Sequence, residues 1–84
     1  MGYAIRYSKQ FENSIAKLKR KDRLLYGRIW KKIGGIIDNP EHYKPLRYSL
    51  AGYRRVHVGS FVVIYSVRGE VIKFISLDHH DNAY

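Results

Sequence analysis

The sequence predicts an α+β fold: an N-terminal strand, a two-helix hairpin, then a three-stranded antiparallel meander, with the helices on one sheet face and an open basic groove on the other. Three observations lead there. Apolar residues recur at helical spacing from Phe11 to Ile37. From Tyr53 onward the period falls to two, as on a pleated strand. The β-rich runs are broken by Gly59-Ser60 and Arg68-Gly69, two-residue turns of the kind that closes a hairpin.

In chain order, Tyr3 to Tyr7 alternates as a short strand. Ser8 suits a helix N-cap, because its hydroxyl can accept from a backbone N–H that the first turn leaves over. Phe11, Ile15 and Leu18 follow at helical intervals. A longer helix carries Leu25, Ile29, Ile33, Ile36 and Ile37 on one stripe, with Arg28, Lys31 and Lys32 off it. Gly34-Gly35 costs about 1 kcal/mol per glycine relative to alanine, so that end is expected to kink or fray. Asp38-Asn39-Pro40 ends it, and residues 41–52 read as a connection.

Tyr53 to Val58, Phe61 to Val67 and Glu70 to Leu77 are then the three strands. Two-residue turns pair Val58 with Phe61 and Val67 with Glu70. One face collects Val56, Val58, Phe61, Val63, Tyr65, Ile72 and Phe74, apolar enough to pack on the helices. The other collects Tyr53, Arg55, His57, Val62, Ile64, Ser66, Val71, Lys73 and Ile75. Alternation places Arg55 and His57 together on that second face, about 7 Å apart.

With 84 residues, the chain has room for a single domain over residues 1–84. Its 45% hydrophobic content separates it from a disordered basic tail. The absence of cysteine excludes a disulfide framework and any thiolate metal site. No apolar stretch approaches the roughly 20 residues of a membrane span. The N-terminus lacks an apolar signal core, and Arg6 stands where a myristoylation motif wants Ser or Thr. A soluble, cytoplasmic protein without a membrane partner is expected. Sixteen Lys and Arg against seven Asp and Glu leave a net charge of +9, which calls for a polyanionic partner, nucleic acid or an acidic protein.

Eight basic residues lie between Lys17 and Lys32 with only Asp22 to offset them; these read as a solvated face that attracts RNA. From His42 to Gly69 there is no acid, yet Lys44, Arg47, Arg54, Arg55 and Arg68 are interleaved with four tyrosines. Phosphates demand charge and bases demand flat faces, so this is the composition of a single-stranded nucleic acid site. The candidate RNA contacts are Lys44, Arg47, Tyr53, Arg54, Lys73 and His79, with Lys19 and Lys32 adding charge from the helices.

His57, His79 and His80 supply imidazoles that take up or give a proton near neutral pH. RNA brings its own nucleophile, since the 2′-hydroxyl attacks the adjacent phosphorus. The protein then needs proton transfer and a cation for the developing charge, a part Arg55 can play. Asp78-His79-His80-Asp81 lacks a chelating spacing, so no metal site is expected. No Walker-type, G-x-S-x-G or dinucleotide motif is present, and no cofactor is implied.

The strings "PLRYSLAGYRRVHVGSFVVIYSV" and "ISLDHHDNAY" resemble the RelE/ParE superfamily of type II toxins, over nearly the whole chain and best from Pro45 to Tyr84. That family's "L-x-G-x-x-R-x-x-V-G-x-[FY]-R-[VL]-x-Y" hairpin and C-terminal "H-R-x-x-V-Y" fall on Leu50, Gly52, Arg55, Val58, Gly59, Phe61 and Tyr65, then His79, His80, Ala83 and Tyr84. The resemblance implies a ribosome-dependent messenger RNA interferase that cuts by 2′-hydroxyl attack and is neutralised by an acidic RelB-like antitoxin. It assigns catalysis to Arg55, His57, His80 and Tyr84. The arginine of RelE-like enzymes on the strand after the first turn is Val62 here. The string Gly52 to Val58 is closest to a YafQ-like, histidine-based variant, with the choice of base and acid between His57 and His80 open. Other readings are a ParE-like DNA gyrase inhibitor without nuclease chemistry, a catalytically inactive member, or a general RNA-binding module. Retention of His57, His80 and Tyr84 argues against the gyrase binder.

Overall fold

Two side chains start the helices. The Ser8 hydroxyl accepts from the Phe11 N–H at 3.0 Å and donates to the Ile75 carbonyl, so one group caps α1 (Lys9–Lys21) and ties it to the sheet. The Asp22 carboxylate accepts from the Leu25 N–H at 3.1 Å and caps α2 (Arg23–Asp38), while its own N–H closes α1 on the Leu18 carbonyl. A single residue therefore turns the hairpin.

This computed structural model describes residues 2–45 and 52–79, with Lys44 and Pro45 by backbone alone. The strands are β1 (Ala4–Tyr7), β2 (Lys44–Pro45), β3 (Tyr53–Val58), β4 (Phe61–Arg68) and β5 (Val71–His79). They form one sheet in the order β1-β5-β4-β3-β2. The α+β architecture matches the sequence expectation. β1 enters beside β5 as a parallel strand, a pairing between sequence-distant segments that alternation alone does not reveal. The short β2, paired antiparallel with Arg54 and Arg55 of β3, lies within the stretch read as a connection.

Helix α2 runs through Gly34-Gly35 to Asp38 without the expected break. Ile33 and Ile36, 1% and 0% exposed, anchor that end in the core. Packing outweighs a backbone cost of about 1 kcal/mol per glycine.

The first hairpin keeps its expected register, Val58 opposite Phe61. The second differs. Its turn is Gly69-Glu70, which pairs Arg68 with Val71, and the register shifts again where Ile64 faces Ser76 and Tyr65 faces Phe74. Ile75 is the extra residue of a β-bulge. The bulge reverses the alternation of the last stretch of β5, so Leu77 joins Val63 in the core, 1% exposed.

Phe11, Ile15, Leu18, Ile29, Ile33 and Ile36 pack from the helices onto Val56, Val58, Val63, Tyr65, Ile72, Phe74 and Leu77 of the sheet. Within this core the Tyr65 hydroxyl donates to the Pro40 carbonyl at 2.6 Å, and burial pushes the phenol up to about 12. The second sheet face is less open than alternation suggested. Val62, Ile64 and Ser66 lie there yet are 2%, 6% and 5% exposed, so solvent reaches this face at its rim.

Candidate functional site

Arg55 and His57 stand on β3 opposite Ile64 and Val62, so alternation puts both on the second face. Arg55 is half-buried and His57 is exposed. Because β2 extends only to Arg55, His57 sits at the rim of the sheet. There α2 comes round to meet it. A cleft of about 480 Å³ is lined by His57, Val58 and Gly59 on one side and by Arg28, Lys31, Lys32, Gly35 and Tyr43 on the other.

The α2 contribution has a simple origin. Positions 28, 31, 32 and 35 follow the i, i+3, i+4, i+7 rule and form one helix side. Gly35 meets Tyr43 across the cleft: a Cβ built there would lie 3.6 Å from the Tyr43 hydroxyl, in ordinary contact. The Lys32 ammonium lies 5.8 Å from the centre of the Tyr43 ring, which steers it along the cleft. Arg28 and Lys31, read from sequence as part of a solvated face, thus stand across from the candidate imidazole. Their shared helical spacing was the available signal.

A second cleft of about 290 Å³ lies at the same end of the sheet, across the Gly59-Ser60 turn. It is lined by Ser14, Lys17, Leu18 and Lys21 of α1, again at i, i+3, i+4, i+7, and by Phe61, Leu77, Asp78 and His79. The His79 ring stands edge-on to Phe61, with centroids 5.5 Å apart. The bulge explains its position: with the alternation reversed, His79 shares the helix side, while Asp78, the backbone partner of Val62, turns its carboxylate to accept from the Gln10 amide of α1 at 3.0 Å. His57 and His79 therefore serve different clefts.

A third hollow of about 320 Å³ on the second face is lined by Tyr53, Ser66, Arg68, Val71, Lys73 and Ile75. This places Tyr53 and Lys73 together, as the face assignment anticipated. Arg54 is placed differently from expectation. It points to the helix side, donating to the Tyr43 carbonyl at 2.7 Å and the Glu41 carbonyl at 3.3 Å. Its guanidinium holds the segment after α2 against the sheet and does not face the site. Lys19 lies over the Tyr26 ring at 5.9 Å, on the helical hairpin. His80, Tyr84, Arg47 and the Lys44 side chain lie outside the described residues.

Among the described residues no cluster of His, Asp or Glu is arranged to hold a metal ion, and no helix is long and apolar enough to cross a membrane. The arrangement offers a surface imidazole beside a guanidinium, facing three further cations. Such an arrangement has the chemistry to hold a phosphate-bearing chain, with a group able to transfer a proton among the cations.

Residues 5–84 match the family described as ParE toxin of type II toxin–antitoxin system, parDE, and the chain belongs to this family within the RelE/ParE superfamily. It is 36% identical to a Methanocaldococcus jannaschii protein bearing the toxin name RelE4, over 98% of this chain and 90% of that protein. Among solved structures it is similar to a YoeB/ParE toxin from Agrobacterium tumefaciens, with 18% identity, a TM-score of 0.81, and 92% of this chain and 98% of that one covered. It is also similar to a chain of the E. coli DinJ-YafQ toxin-antitoxin complex, with 23% identity, a TM-score of 0.79, and 100% and 99% covered.

Proposed function

We propose that this toxin is a ribosome-dependent messenger RNA endoribonuclease that needs no metal ion. The observation that supports the reading best is the pairing of Arg55 with the exposed His57, at the mouth of a cleft walled by Arg28, Lys31 and Lys32. In this mechanism the cations hold the phosphodiester. One imidazole takes the proton from the 2′-hydroxyl, whose oxygen attacks phosphorus to form the 2′,3′-cyclic phosphate. A second imidazole gives a proton to the departing 5′-oxygen, and Arg55 stabilises the charge that builds on the phosphoryl oxygens. His57 and His80 are the proposed pair, with Tyr84 completing the site. An acidic antitoxin is the proposed physiological partner; the similar YafQ chain is solved bound to DinJ. The cytoplasm, where ribosomes and messenger RNA are found, is the proposed place of action.

His57→Ala and His80→Ala each remove one proton-transfer group, worth about a hundredfold or more in rate. Cleavage of a translated messenger should fall accordingly while circular dichroism stays parental. Parental cleavage rates in both variants would refute the imidazole mechanism. The ParE family match favours a second reading, a gyrase inhibitor. A DNA supercoiling assay run beside the cleavage assay separates the two, because a gyrase binder inhibits supercoiling and leaves messenger intact.

A further inference from the structure

The cleft between α1 and the end of β5 differs in kind from its neighbour. The cleft beside His57 is cationic along one whole side, through Arg28, Lys31 and Lys32. The second joins three unlike surfaces within about 290 Å³. Its floor is apolar: Leu18 and Leu77 belong to the core, and Phe61 packs against the same core. Its rim is cationic. Lys17 and Lys21 are exposed and stand one helical turn apart, which brings their Cβ atoms to about 5–6 Å. Its third surface is the Asp78 carboxylate, held in place from α1 by the Gln10 amide at 3.0 Å.

A ligand that satisfies all three needs a flat apolar body, an anionic group at one end and hydrogen-bond donors at the other. An acidic peptide satisfies the lysines but meets Asp78 as a like charge. The volume, about 290 Å³, suits a single small molecule, and is far from the roughly 800 Å² of surface that each partner covers in a stable protein interface. A nucleotide meets every demand. Its base can lie against Phe61 and the His79 ring, which stands edge-on to it at 5.5 Å between centroids, while its phosphate reaches the two ammonium groups.

The carboxylate then chooses the base. Asp78 has about four lone-pair directions, of which Gln10 takes one. Guanine presents N1–H and N2–H side by side, a fork that two carboxylate oxygens accept together. Uracil sets its single N–H between two carbonyl oxygens, which repel a carboxylate. Adenine and cytosine set their amino group beside a ring-nitrogen lone pair, with the same result.

We propose that this second cleft binds a guanine nucleotide, its phosphate between Lys17 and Lys21, its base over Leu18, Leu77 and Phe61, and its N1–H and N2–H donated to Asp78. Gln10 is a positioning residue, aiming the carboxylate from the helix. The site lies across the Gly59-Ser60 turn from His57 and does not depend on the cleavage reading.

The test titrates the full, isotope-labelled chain with guanosine 5′-monophosphate and follows amide resonances. Lys17, Leu77, Asp78 and His79 should shift while Ile5 and Tyr53 stay. Inosine 5′-monophosphate, which lacks only the N2 amino group, and adenosine 5′-monophosphate should each bind about tenfold more weakly. Asp78→Asn keeps an acceptor for Gln10 but removes the paired acceptors, so guanosine should lose its advantage while adenosine binding is unchanged. Lys17→Gln combined with Lys21→Gln should weaken all three nucleotides alike, by about tenfold. A 2′-O-methyl trinucleotide with guanine at its centre tells the source: binding about tenfold tighter than the mononucleotide, with added shifts at Arg28 and Lys31, supports a guanine within an RNA chain, and equal affinity supports a free nucleotide. Equal binding of guanosine and inosine monophosphates, shifts confined to Arg28 and Lys31, or a Leu-Glu heptapeptide moving the same amides as strongly would each overturn the proposal. The wild-type ligand series decides even where a variant fails to fold. None of these ligands has a 2′-hydroxyl beside a phosphodiester, so the outcome is independent of whether the chain cleaves messenger RNA.

Discussion

Arg54 and Arg55 are adjacent in sequence and opposite in employment. Arg54 is bound to main-chain carbonyls on the helix side, whereas Arg55 shares the outer face with His57. Tyr65 has an equally specific internal task, donating to the buried Pro40 carbonyl. Tyr65→Phe strands that acceptor, so unfolding free energy should fall by about 1–3 kcal/mol in urea titrations. The same residue sets an alkaline limit. Its pKa rises from 10.0 to about 12 on burial, so the protonated phenol's contribution is whole below pH 10 and is lost as pH climbs through 12. Tyr65→Phe should remove a tyrosine inflection near pH 12 from an ultraviolet pH titration. The pairing of Arg55 with His57 was legible from alternation alone. The diversion of Arg54 was not, because nothing local says that carbonyls of residues 41 and 43 will lie within reach.

Among the elements, the helices followed from their spacing and the first hairpin from its turn. Glycine context shows where such local rules stop. Gly34, interior to α2 with nothing within 4 Å of a built Cβ, has no packing reason to be glycine. Gly34→Ala should raise stability by about 1 kcal/mol. Gly59 sits at φ +60 in the β3–β4 turn, with Leu25 Cδ1 only 3.3 Å from a built Cβ. Gly59→Ala should cost roughly 1–2 kcal/mol from the left-handed backbone alone. Differential scanning calorimetry of the two variants should move in opposite directions. The β5 bulge was invisible for a related reason. It puts Leu77 rather than Ser76 into the core cluster, an outcome of burial against the helices that the strand's own pattern does not state.

Across the molecule, positive charge is concentrated at one end of the sheet, where α2 supplies Arg28, Lys31 and Lys32 to one cleft and α1 supplies Lys17 and Lys21 to the other. A polyanion crossing the Gly59-Ser60 turn meets both. If ribosomal RNA is that polyanion, Lys17→Ala and Lys32→Ala should each weaken ribosome association. Each should also lower the slope of log affinity against log salt by about 0.7–0.9, the release of one counterion. Sedimentation across a salt series reads this directly, and an unchanged slope would place these lysines outside the contact.

The linear pattern of residues carried the α+β class, both helices, the first hairpin and the face shared by Arg55 and His57, because each depends on spacing within one segment or across a tight turn. Three-dimensional packing settled the parallel entry of β1, the bulge that sends His79 to the helix side, and the meeting of His57 with Arg28 and Lys31. Those outcomes depend on which distant surfaces bury each other best, and burial is a property of the assembled core that no short window of sequence contains.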